Sequence, residues 1–152
     1  LVDATAQGLT IEHLRDRLAD HVTRGIAPAS KGHAACVGIL HDALGRRGRT
    51  ASPTYPVEAA TEAVCETLTV LEEIAGTENG VAACSNGRAL AVATRGRPLY
   101  WLWQPFDARP RGHALVVSSR DPVQNEGAWR ILESGAAISW LVGDEPTVCP
   151  GR

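Results

Sequence analysis

The chain changes character at Gly80, and that change constrains its fold more than any other feature. Before it, apolar residues recur at helical spacing. After it come short apolar runs separated by turn residues. The first half predicts three helices. One spans residues 10–24, with Thr10 as N-cap, Ile11, Leu14, Leu18 and Val22 on one face, and Gly25 as the stop. A second starts near Gly32–Ala34, runs through Cys36, Val37, Leu40 and Leu44, and stops at Gly45. A third has Pro56 in its first position and ends at Gly76. Its Val57, Ala60, Val64, Leu68, Leu71 and Ala75 form a stripe, with Glu58, Glu62, Glu66 and Glu72 largely outside it.

Beyond Gly80 the runs Val81–Cys84, Arg88–Thr94, Leu99–Gln104, His113–Ser119, Ala128–Glu133 and Ile138–Val142 read as strands. Asn86-Gly87, Gly96-Arg97-Pro98, Pro110-Arg111-Gly112, Asp121-Pro122 and Asn125-Glu126-Gly127 punctuate them. Sequential short strands of this kind predict an antiparallel meander. The expected class is α+β, with N-terminal helices packed on an antiparallel sheet. Trp101 and Trp103 alternate with Leu102 and should share one sheet face; the Tyr100–Trp103 stretch, closely followed by Phe106, reads as core or interdomain packing, with a substrate-side or partner-facing patch as the alternative.

Composition narrows the function classes. At 152 residues the chain is expected to be a single domain, residues 1–152. Hydrophobic residues are 44% and charged residues 21%, which favours a folded chain over a disordered one. A net charge of −2 offers no broad basic field, so no nucleic-acid partner is expected, and Arg46–Arg49 reads as a solvated loop. No apolar run has membrane-spanning length, so no membrane partner is expected either. The chain has no Met and opens on Leu1, which suggests a piece of a longer precursor.

Cys36, Cys65, Cys84 and Cys149 contain no CxxC spacing, which argues against a zinc ribbon or a thioredoxin-type site. Four cysteines allow two disulfides in three pairings, one disulfide, or none. For Cys149 the residues leave Cys84 and Cys65 open as partners. Cys36 stands apart because it falls at a predicted helix start, where positive potential favours a thiolate. His113, at the start of a strand directly after a Pro-Arg-Gly turn, is the candidate base. A base needs an orienting acceptor. If the next strand returned beside His113 it would bring Glu133, with Asp121 and Asp107 as weaker choices.

Three segments in this order resemble the papain-fold domains at the C-termini of bacterial polymorphic toxins. Cys36–Pro53 is similar to their catalytic-helix segment, Asn86–Thr94 to their central strand, and Gly112–Asp121 to their histidine strand. Ile131–Gly135 falls where that family has an acidic residue followed by a polar one, and the resemblance covers about residues 30–135. It implies a papain-like cysteine enzyme core and a protein-glutamine deamidase without a cofactor. Cys36 would be the nucleophile, His113 the general base and acid, and Glu133 the orienting carboxylate. It implies a target protein as substrate, with an immunity protein or host activator as a further partner. The domain would then be the C-terminal effector of a larger secreted or translocated protein, acting in the target-cell cytoplasm. A protease or a transglutaminase would use the same first step.

Two other classes compete. A non-catalytic, disulfide-braced binding domain would bridge Cys36, for example to Cys65 or Cys84. A metal site would draw on His33, Cys36 and His113, the first two spaced to share a helix face.

Overall fold

The computed structural model describes residues 2–4, 33–47, 56–76, 78–105, 112–122 and 128–151. Two helices are present among them, α1 (His33–Arg46) and α2 (Val57–Ala75). The strands are β1 (Val2–Ala4), β2 (Gly80–Ser85), β3 (Ala89–Arg95), β4 (Leu99–Pro105), β5 (His113–Ser118), β6 (Arg130–Leu132), β7 (Ala137–Leu141) and β8 (Thr147–Cys149). The helix expected over residues 10–24 lies outside the described residues.

Pro56 is the N-cap of α2 rather than its first residue, with a ψ of 144° that is still extended, and Ala60 N–H donates to its carbonyl at 3.2 Å. Gly76 closes α2 at a φ of 59°, where its N–H donates to the Glu72 carbonyl. Helix α1 runs past the expected stop at Gly45. The extension is one residue, and Arg47 supports that helix end: its Nη1 donates to the Ala43 carbonyl at 2.7 Å and satisfies a terminal acceptor. The same guanidinium donates to Glu66 at 2.7 Å and to Glu62 at 3.1 Å, while Arg46 pairs with Asp42 and Glu66. The Arg46–Arg47 part of the expected solvated loop is therefore the clamp between the two helices.

The fold is α+β with antiparallel strands, and helices pack on a sheet as expected. The strands do not form one meander. A five-stranded sheet has the order β1-β2-β3-β7-β8, and a separate three-stranded sheet has the order β5-β4-β6. Strands β1 and β8 fall outside the expected runs, too short for alternation to reveal. The split occurs at Gly96, where the chain leaves the first sheet after β3 and enters the second at β4.

Alternation along β2 and β3 builds two cores on the faces of the five-stranded sheet. On one face Ala82, Ala91 and Ala93 meet Cys36, Ile39, Ala43, Ala60, Ala63, Val64, Leu68 and Leu71 of the helices. On the other, Val81, Ala83, Leu90, Val92 and Ile138 meet Leu99, Trp101, Trp103, Leu115, Val117 and Leu132. The layers are thus helices, sheet, sheet. The tryptophan alternation is as expected, with Trp101 buried between the sheets and Arg130 over its ring at 5.0 Å.

Candidate functional site

Cys36 lies in the first turn of α1, as the sequence predicts. Its side chain is turned into the helix-side core and is 1% exposed. Burial pushes the thiol above its ordinary value, outweighing a backbone hydrogen bond that acts the other way. The expected activation by the helix terminus is therefore overcome by desolvation in this conformation.

His113 begins β5, opposite Pro105 of β4. Its ring stacks on Trp103, with centroids 4.4 Å apart and planes 15° from parallel. Trp103 packs against the inter-sheet core. The imidazole thus belongs to the second sheet, across the five-stranded sheet from Cys36, and the two are not brought together.

Glu133 is also placed apart from His113. The strand that precedes it, β6, does not return beside β5. It pairs with the opposite edge of β4, Leu132 facing Leu99. His113 is held at the Pro105 end. At roughly 3.3 Å per residue, the two ends of β4 are about 20 Å apart. This corrects the expected contact: Glu133 is exposed at the far end of β4, and its carbonyl accepts the Ala136 N–H in a tight turn. Asp121 follows the far end of β5, and Asp107 lies outside the described residues.

No disulfide braces the domain; Cys36, Cys65 and Cys149 are thiols. Among the described residues no group of three His, Cys, Asp or Glu side chains is placed to hold a metal. Cys36 and His113 lie on different faces, and the side chain of His33 is outside the described residues.

The structure brings forward a feature the sequence reading missed. A cleft of about 800 Å³ runs beside α2 over β3, β7 and β8. Thr61, Cys65 and Thr69 of α2 line one side, and Ser139, Thr147 and Cys149 line the sheet. The spacing of Thr61, Cys65 and Thr69 carried the helix half of this signal. The sheet half depends on β8.

An alkylation experiment follows from the burial of Cys36. Iodoacetamide should modify Cys36 in the folded chain far more slowly than in urea, with a rate still rising above the ordinary thiol value of 9.0. His113→Ala should leave that profile unchanged. A fast reaction near neutral pH that disappears in His113→Ala would reinstate the pair.

No protein-family model matches the sequence, and no curated protein matches it. Among solved structures the fold is similar to a glutamine aminotransferase class-II domain protein from Silicibacter pomeroyi, with a TM-score of 0.62 at 14% identity. The similarity covers 99% of this chain and 66% of that one, so the chain spans just under two thirds of its length. At this identity the likeness establishes a shared fold.

Proposed function

We propose that this chain is a glutamine-handling domain that hydrolyses the side-chain carboxamide by cysteine chemistry. The observation that carries the reading is the likeness, over nearly the whole chain, to a protein described as a glutamine aminotransferase class-II domain protein. In the proposed reaction a thiolate attacks the carboxamide carbon. The nitrogen takes a proton and leaves as ammonia, and water hydrolyses the thioester to a carboxylate. Cys36 is the nucleophile this reading puts forward, for its place at a helix start. Its buried resting state requires the first turn of α1 to open, and its base to be a group other than His113.

A finer form of the same proposal takes the glutamine of a target protein as substrate. The domain is then a deamidating effector of the polymorphic-toxin kind, delivered to a target cell and accompanied there by an immunity protein or activator. The test offers free glutamine and a glutamine-containing protein in parallel and measures ammonia. The proposal expects ammonia from one of them, and Cys36→Ala, folded by circular dichroism, to release less than a hundredth as much. Undiminished release by that variant would remove Cys36 as nucleophile.

One observation favours a second reading, a domain that binds the carboxamide without thiol chemistry. It is the placement of Cys36 and His113 on different faces of the five-stranded sheet. Glutamine binding by calorimetry with no ammonia released would select it.

A further inference from the structure

Cys65 and Cys149 are far apart in sequence and face the same cleft in the fold. Cys65 sits mid-way along α2 and Cys149 ends β8, and both line the same cleft. Both pack against the helix-side core. The register sets Cys149 beside Ala137, a core residue under α2. Alternation puts Thr147 and Cys149 on the cleft side, leaving Val148 exposed. The Cys65 thiol is held above its ordinary value by burial first, and next by the proximity of Cys149.

The alternatives for Cys149 are limited by the sheet order. Cys84 lies on β2, and β3 and β7 separate that strand from β8. Three inter-strand spacings amount to about 14 Å, well beyond the roughly 7 Å limit for the Cα atoms of a disulfide. Cys36 is enclosed in the core under α1. Among the described residues β8 pairs on one side only, with β7, so no second ladder there holds it away from α2.

We propose that Cys65 and Cys149 form a reversible disulfide across the cleft, tying α2 to the edge strand when a peroxide is present. The thiolate of one cysteine attacks a peroxide oxygen, giving a sulfenic acid and hydroxide, which takes up the proton that the thiol released and becomes the first water. The second thiolate attacks that sulfur and expels hydroxide, which takes a proton to become the second water. Two thiols and one hydrogen peroxide thus yield one disulfide and two waters. The bridge narrows the cleft and fixes β8. The inference is independent of the glutamine reading.

The test treats the purified, reduced full chain with hydrogen peroxide, blocks remaining thiols under denaturing conditions, and maps the peptides by mass. Before blocking, the expected product is about two daltons lighter and dithiothreitol restores the original mass; after blocking, the peptides containing residues 65 and 149 are found linked. Cys65→Ser and Cys149→Ser should each abolish this species, and Cys84→Ser should retain it. Overoxidation of single cysteines without a bridge would overturn the proposal. So would a bridge that survives in Cys65→Ser or Cys149→Ser, or no reaction at all.

Discussion

Gly96→Ala should lower the unfolding free energy by about 3 kcal/mol, with contributions from backbone conformation and from overlap. Gly96 holds a φ of 76°, where L side chains are rarely accommodated. A Cβ there would stand 1.8 Å from the Glu78 carbonyl oxygen and 2.7 Å from its carbon. Main-chain atoms next to β2 must then move, and no rotamer change relieves the overlap. The turn is also tied down from a third direction, since Gly96 N–H donates to Ser134 Oγ at 2.7 Å and Thr94 Oγ1 donates to the Arg97 carbonyl at 2.6 Å. The expected result is a melting temperature lower by about 6–12 °C for a chain of this size. Gly87→Ala is the control: that glycine has a φ of 83° but nothing within 4 Å of the added carbon, so its loss should be about 1–2 kcal/mol. Equal losses for the two variants would show that the close approach at Gly96 costs nothing.

Leu71→Ala should cost about 3–4 kcal/mol, from lost burial and from the cavity left behind. Leu71 is fully buried where α2 lies on the five-stranded sheet, in a core whose sheet side is made of the small residues Ala82, Ala91, Ala93 and Ala137. Their side chains are too short to fill the space, and the packed backbones cannot easily collapse into it. Chemical denaturation with an unchanged m-value should report the loss directly. Val70→Ala, on a partly buried neighbour, should cost about 1 kcal/mol.

Helix α2 was legible almost to the residue, because a long apolar stripe ends between Pro56 and Gly76, two residues with strong backbone preferences. The strands from β2 to β7 were legible for a related reason, their turns being marked by Gly, Pro and Asn. Their pairing was not. Alternation tells which residues share a face, but it does not say that β3 leaves β4 and joins β7. The glycine turn at 96 looks like a hairpin in sequence and is a crossing between sheets in space.

The candidate site suffered from that ambiguity. A hairpin from β5 to β6 would have carried Glu133 back to His113, and the observed insertion of β4 between those strands separates them. The burial of Cys36 was legible in its own apolar stripe, with Ile39, Leu40 and Ala43. The helix terminus favours a thiolate and the stripe buries it, and desolvation prevails. For Cys149 the sequence left Cys84 and Cys65 equally open, and it could not choose between them because the choice depends on β8 closing the sheet beside β7.

The central functional claim is that glutamine's carboxamide is hydrolysed by a thiol of this domain. Its most direct test is the mass of glutamine, free and in a substrate protein, after incubation with the native chain and with a folded variant in which Cys36, Cys65, Cys84 and Cys149 are all serine. A gain of about one dalton per converted side chain is expected with the native chain and none with the cysteine-free variant, the change that follows when amide becomes acid through a thioester. Glutamine recovered unchanged from the native chain, or converted equally by both, would contradict it.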